Sequence, residues 1–172
     1  VNVAAHKAAG FPYVVMSMAP LMKSEAELKV MVNYLNAIGE KYNAVGIKFG
    51  YHSHSHEFKK VEDAGTSMMD YMMANTDPSK VFFEMDVYWA VIAGVSPVDY
   101  MNKYPGRFTI LHIKDNNEIG QSGMVGFDAI FKNFEVAGTK TFIAELEHAS
   151  TPDIMKGLQE SVDYLLNAPF VK

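Results

Sequence analysis

FTILHIKD, residues 108–115, is the stretch on which the fold prediction depends. It is a short apolar run that ends in polar side chains, and these are spaced as on a β-strand. His112 and Lys114 are two residues apart, and side chains at that spacing point to the same face of a β-strand. Three other short apolar runs end in the same way. Their polar pairs are His52 with His54, Glu84 with Asp86, and Glu145 with Glu147. The pattern predicts parallel strands that carry imidazoles and carboxylates at their carboxyl ends.

Helical segments separate these strands and give five β/α units, each of roughly 30 residues, as parallel crossovers require. The first full helix is expected from Ser24 to about Tyr42, with Glu27 completing a capping box. The strand KVFFEMDVYW is expected over 80–89, and one helix over 127–138. This alternation fits either a doubly wound sheet or part of an eight-stranded barrel.

The last helix is expected to begin near Pro152, with Thr151 as its cap. Its apolar residues recur at helical spacing and are expected to face the core. These inward residues are Ile154, Leu158, Val162 and Leu165. A methionine-rich helix near 67–74 is likewise expected to fill core space, which is the commoner use of methionine.

Composition bounds the possible functions. The chain has 172 residues, 49% of them hydrophobic, and a formal net charge of −5. We therefore expect a globular protein without nucleic acid as a partner, since phosphate backbones are bound by basic faces. No apolar run reaches bilayer length, so no membrane association is expected. The first residue is Val1, and the start looks cut, so the compartment cannot be read from the sequence, although the cytoplasm is favoured.

A metal site must be built without thiolates, because the chain has no cysteine. Asp, His and Glu from separate strand ends give a mixed oxygen and nitrogen set, compatible with Mn, Co, Zn or Mg. These residues also have structural alternatives. The histidines of 52–56 could form a solvated loop, Asp86 could cap a helix, and His112 could be a core histidine. Lys114 could form a salt bridge with Glu84 or another carboxylate.

Five motifs together resemble the sugar phosphate isomerase/epimerase family of xylose isomerase-like barrels. They are GYHSHSHEF (50–58), MDVYWAVIAGVSP (85–97), YPGRFTILHIKD (104–115), GMVGFDAIF (123–131) and FIAELE (142–147). The resemblance implies a TIM-type (β/α) barrel, an α/β fold of which only the C-terminal five units, strands four to eight, are present. Residues 1–172 would then form one N-terminally truncated domain.

The resemblance also implies a site. Asp86, His112 and Glu145 are the expected metal ligands, with Glu57 or His54 as the fourth. The expected acid and base are Glu145 together with Glu57 or His54, while substrate contacts are assigned to a further set. That set is His52, Trp89, Lys114 and Glu147.

The implied function is a divalent-metal-dependent sugar isomerase or epimerase, which moves a proton next to a carbonyl through an enediolate. A keto-sugar lyase or hydrolase on the same scaffold is an alternative, and so is a non-catalytic sugar-binding protein. A metal-dependent endonuclease is disfavoured by the negative charge. The expected partners are a small sugar and, through open strand edges, a second copy of the chain.

Overall fold

The computed structural model describes residues 2–171, which divide into two compact units between Glu84 and Met85. The first unit contains three helices and four complete strands among its described residues: α1 (Val3–Ala8), β1 (Tyr13–Met16), α2 (Glu25–Asn43), β2 (Lys48–Ser53), β3 (Lys60–Val61), β4 (Thr66–Ser67) and α3 (Met68–Asn75). Strands β1 and β2 are parallel, and β3 and β4 form an antiparallel hairpin that the sequence analysis did not predict. The boundary between the two units falls inside a further strand, β5 (Val81–Asp86). Strand β5 is the neighbour of β2 in the sheet.

Helix α2 begins as its capping residues predict. The Ser24 hydroxyl accepts the backbone N–H of Glu27 at 3.2 Å, which satisfies one of the unpaired donors of the first turn. The Glu27 carboxylate reaches past the cap and accepts the N–H of Lys23 at 2.6 Å. A third contact comes from Asp63, which accepts the N–H of Glu25 at 2.9 Å. The start of the helix is therefore fixed from two segments of the unit.

The methionines of α3 are core residues, as predicted. Met68, Met69 and Met72 are fully buried, and Met73 is nearly so. Flexible thioether side chains fill an irregular interior here, rather than an exposed binding face.

The second unit continues from the end of β5 through five helices and two further strands among the described residues. They are α4 (Val87–Ile92), α5 (Pro97–Lys103), β6 (Ile110–Ile113), α6 (Phe127–Lys132), α7 (Phe134–Ala137), β7 (Thr141–Ala144) and α8 (Ile154–Asn167). Strand β6 lies between β5 and β7 and pairs with β7 in parallel. The fold is α/β with parallel strands, as predicted. None of the helices within residues 2–171 is long and apolar enough to cross a membrane.

Two predicted elements of this unit are wrong in extent. The strand expected over 80–89 ends at Asp86, because the Asp86 carboxylate caps the helix that begins at the next residue. The single helix expected over 127–138 is two helices that meet at Asn133, whose side chain bonds back to the carbonyl of Ala129. Gly138 then ends α7 in the left-handed conformation (φ 78°), which glycine adopts without strain.

The last helix begins later than predicted and buries a different face. Its cap is Asp153, which accepts the N–H of Lys156 at 3.1 Å, and not Thr151. The residues of α8 that are buried are Gly157, Ser161 and Leu165. Of the four side chains expected to face inward only Leu165 does so; Ile154, Leu158 and Val162 are 37–47% exposed. The helix packs through small residues, which an apolar periodicity does not reveal.

Candidate metal and substrate site

The second unit brings polar strand ends together. Asp86, the last residue of β5, is fully buried, and its Oδ1 accepts the N–H of Trp89 at 3.0 Å. The predicted structural role of Asp86 as a helix cap is therefore observed. A carboxylate oxygen of Asp86 also lies within 4.8 Å of a ring nitrogen of His112 on β6, which is close enough for both to bind one ion.

Glu145 reaches the same place from the residue after β7. Its backbone N–H donates to the carbonyl of Ile113 at 3.0 Å, which extends the parallel pairing by one residue. Its Oε2 then lies 3.3 Å from Nε2 of His112 and 3.3 Å from Nζ of Lys114. Of the expected metal ligands, Glu145 therefore lies beside His112, and His112 lies within ion-binding distance of Asp86; that the three hold one ion stays a prediction.

Lys114 is the cation of the cluster. Its side chain is only 2% exposed, and Nζ lies 2.6 Å from Oε2 of Glu147. The same Nζ is 5.7 Å from the ring centre of Tyr88 and 5.9 Å from that of Trp89, within the range of cation–π attraction. The predicted salt bridge of Lys114 is observed, and its partners are Glu145 and Glu147.

The donor set fits a divalent cation. The Asp86 carboxylate and the His112 imidazole offer an oxygen and a nitrogen atom within reach of one ion, and Glu145, beside His112 with its side chain 37% exposed, is accessible from solvent. Asp86 is buried, and a buried carboxylate is stable only beside positive charge or donors. The set is compatible with Mn, Co, Zn or Mg.

The segment after β7 is held by a residue that the sequence analysis missed. Oε1 of Glu118 accepts both the backbone N–H and the hydroxyl of Ser150, at 2.9 and 3.2 Å. The backbone N–H of Ser150, with the backbone N–H of Glu118 itself and the Ser150 hydroxyl, holds the pKa of Glu118 below its ordinary value. Glu118 lies in a loop rich in Asn and Gly, and no spacing in the sequence distinguishes it; the small residues of α8 are the only hint of a close approach.

The first unit contains the histidine-rich segment. Nδ1 of His52 lies 2.9 Å from Oε1 of Glu84, and both side chains are almost completely buried. The ring of His54 meets that of His52 edge-on, with centroids 4.7 Å apart. The segment is therefore packed into the unit and is not the solvated polar loop that was one reading of the sequence. The assignment of His52 to substrate and of His54 to metal or proton transfer stays a prediction.

Glu57 is the centre of this segment. It is fully buried, and its Oε1 accepts the hydroxyl of Tyr51 at 2.7 Å, while Oε2 accepts the N–H of His54 at 2.8 Å. Nε2 of His56 is a further neighbour at 3.2 Å. Burial and the nearby Glu57 raise the pKa of Tyr51, so its hydroxyl stays protonated and donates. These contacts give Glu57 a structural role; its expected role as ligand or acid–base group stays a prediction.

Proteins of known structure share the fold of this chain. The chain aligns over 99% of its length with the crystal structure of a sugar phosphate isomerase/epimerase from Parabacteroides distasonis, at 41% identity and a TM-score of 0.91. The chain is similar to sugar phosphate isomerases/epimerases. The resemblance predicted from the motifs is therefore confirmed, and the fold matches part of a xylose isomerase-like TIM-type barrel. A 3-keto-D-glucoside 4-epimerase from E. coli, at 17% identity and a TM-score of 0.71, shares the fold.

A curated protein of another activity is also similar to part of this chain. An inosose dehydratase from Clostridium beijerinckii is 32% identical over 92 residues, which are 54% of this chain and 30% of the relative. The chain spans 64% of the Parabacteroides structure, so it corresponds to a part of these longer proteins. No protein-family model matches the chain.

Proposed function

We propose that the chain carries the metal-binding part of a divalent-metal-dependent sugar isomerase or epimerase. One observation carries the proposal: ligand atoms of Asp86 and His112 lie within 4.8 Å of each other at the strand ends of the second unit, and Glu145 and Lys114 lie beside His112. The likeness to sugar phosphate isomerases/epimerases supports it. A sugar is the proposed small-molecule partner.

In this proposal Asp86, His112 and Glu145 hold the cation. When bound, a divalent cation supplies the charge that polarises a carbonyl and eases removal of the neighbouring proton. Glu145, whose side chain is 37% exposed, is the proposed base that takes that proton, and Lys114 is proposed to donate N–H groups to substrate oxygens. The ring of Trp89 offers an apolar surface for the carbon face of a sugar. His52, His54 and Glu57 lie in the first unit and keep the substrate and acid–base roles assigned to them above.

A lyase is the second candidate, because the curated relative is called inosose dehydratase. Proton removal next to a carbonyl is the first step of β-elimination as well as of isomerisation, so the same residues serve either reaction. Product analysis separates the two: elimination forms a carbon–carbon double bond and releases water, whereas an isomerase or epimerase conserves the substrate's formula.

The testing experiment measures metal bound to the purified protein by elemental analysis, after incubation with Mn, Co, Zn or Mg. Asp86 has two roles to separate, since it caps α4 and is a proposed ligand. Asp86→Asn keeps a side-chain oxygen for the cap, because Asn caps helices about as well as Asp, but removes the negative charge. Asp153→Asn is the matched control, since Asp153 also caps a helix and is exposed.

We expect near-stoichiometric metal in the wild type and in Asp153→Asn. Asp86→Asn and His112→Ala should lose the metal while their circular dichroism spectra remain unchanged. Retention of the metal by Asp86→Asn would show that Asp86 is a cap alone. A wild-type protein that binds none of the four metals would contradict the proposed function.

Two finer statements belong to the same proposal. We propose that the five parallel strands correspond to strands four to eight of a TIM-type barrel, as the resemblance implies. The single domain expected over 1–172 also stays a prediction, and its end residues Val1 and Lys172 lie outside the described residues.

A further inference from the structure

The two carboxylates that Lys114 contacts both follow β7, where regular pairing stops. Glu145 is attached to the sheet by its N–H bond to Ile113. Glu147 is two residues beyond that point, and its side chain is 43% exposed. The positions of both carboxylates therefore depend on what holds the connection between β7 and α8, residues 145–153.

Glu118 is the main anchor of that connection. It is 4% exposed, and one carboxylate oxygen accepts two hydrogen bonds from Ser150. Hydrogen bonds to a charged acceptor are about twice as strong as neutral ones. Nearby, the Asn117 side chain donates to the carbonyl of His148 at 3.4 Å, from the same loop. The loop that follows β6 thus holds the segment that follows β7.

Helix α8 is shaped to admit the Glu118 carboxylate. A methyl group at Gly157 would lie 2.8 Å from Oε1 of Glu118 and 2.8 Å from the side chain of Ala149. Both distances are shorter than van der Waals contact, so only glycine leaves room there. Ser161, one turn further on, accepts the N–H of Ile119 at 3.1 Å with its hydroxyl. The loop of Glu118 is therefore seated against α8 at two successive turns.

We propose that Glu118 is a positioning residue that, through Ser150, holds residues 145–150 in the course that brings Glu145 and Glu147 to His112 and Lys114. The effect of Glu118 on metal affinity rests on the proposed function. Its effect on the order of residues 145–150 does not. Glu118 touches neither the proposed cation nor the substrate; it acts through the backbone of the segment.

The experiment compares the wild type with Glu118→Ala, Glu118→Gln and the control Glu135→Ala, which removes an exposed carboxylate from the same unit. Hydrogen exchange of the metal-free proteins is followed by mass spectrometry on peptides that cover residues 145–150. The dissociation constant for Mn is then measured by calorimetry, and thermal unfolding shows whether each variant is folded.

In Glu118→Ala we expect exchange at residues 145–150 to be about tenfold faster, since local opening there no longer breaks the bonds to Ser150. The Mn dissociation constant should rise about tenfold or more, as is typical when a partner outside the ligand shell is lost. Glu118→Gln keeps an acceptor for Ser150 and should restore both values towards those of the wild type, and Glu135→Ala should match the wild type.

Two results would overturn the inference. Unchanged exchange at residues 145–150 in a folded Glu118→Ala variant would show that Glu118 does not hold the segment. Faster exchange with an unchanged Mn dissociation constant would show that the contact is structural only. If the wild type binds no metal, the proposed function fails, and the exchange experiment still decides whether Glu118 orders the segment.

Discussion

Lys114 is the residue on which most of the site's contacts meet. One buried ammonium group lies against two carboxylates that follow β7 and two aromatic rings of α4, so its charge is shared among groups that come from two segments of the second unit. The sequence indicated a salt bridge or a substrate contact for Lys114; the structure shows ion pairs with Glu145 and Glu147, and the substrate contact stays a prediction.

Lys114→Met should destabilise the protein by about 2 kcal/mol, because it leaves Glu145 and Glu147 facing each other without a cation. A fully buried pair would cost more, and the partial exposure of both carboxylates reduces the effect. Urea unfolding measures the difference. Lys132→Met is the control, since Lys132 pairs with Asp128 on the surface and should cost about 0.5 kcal/mol or less. Equal losses in the two variants would argue against a central role for Lys114.

Among the helices and strands, the sequence predicted those boundaries that depend on contacts between residues close together in the chain. The starts of α2 and α5 follow from Ser24 and Ser96, because each hydroxyl bonds within its own first turn. The end of β5 was missed, since the apolar run continues past Asp86, although a capping role for Asp86 was one of the alternatives that the sequence offered. The polar strand ends were predicted because a period of two is local, while their role in a metal site stays a prediction.

The inner face of α8 was missed because it depends on a distant partner. Periodicity ranks side chains by hydrophobicity, whereas this helix approaches a loop that carries the buried carboxylate of Glu118. Such an approach needs small residues, and Gly157 and Ser161 supply them. Glu118 could not be found from the sequence for the same reason: its partner Ser150 is 32 residues away.

Gly157→Ala should therefore destabilise the protein, although alanine favours a helix by about 1 kcal/mol over glycine. The added methyl group meets Oε1 of Glu118 and the side chain of Ala149, and overpacking of this kind costs about 1–3 kcal/mol. We expect a net loss of about 1 kcal/mol in urea unfolding. Gln159→Ala, on the exposed side of α8, is the control and should change little. A more stable Gly157→Ala variant would mean that the loop of Glu118 moves aside freely.

For the molecule as a whole, α8 leaves apolar side chains in solvent. Met155 is 68% and Leu166 is 78% exposed, and Ile154, Leu158 and Val162 are also exposed. Contiguous exposed apolar surface tends to be covered by another protein surface. The expectation from the sequence, that open strand edges lead the chain to associate with a second copy, stays a prediction, and the exposed side of α8 offers a separate surface on which to test association.

We expect the protein to associate at increasing concentration, because covering the exposed side of α8 removes apolar surface from water. Sedimentation velocity measures the association. The double variant Met155→Lys with Leu166→Lys should shift the protein towards the monomer, since it places charges on that side of the helix. Asn167→Lys adds a charge to an exposed position on a different side of α8 and should associate as the wild type does. A wild type that stays monomeric throughout the accessible range would contradict this expectation.

The position of Trp89 has a practical consequence. It is the only tryptophan in the chain, its ring lies beside that of Tyr88, and the ammonium group of Lys114 is 5.9 Å from its centre. Tryptophan emission therefore arises from one place in the molecule, at the start of α4 and three residues from Asp86. Titration with a cation or a sugar can therefore be followed by intrinsic fluorescence, without a label. Any quenching or spectral shift is then attributable to the Trp89 side chain.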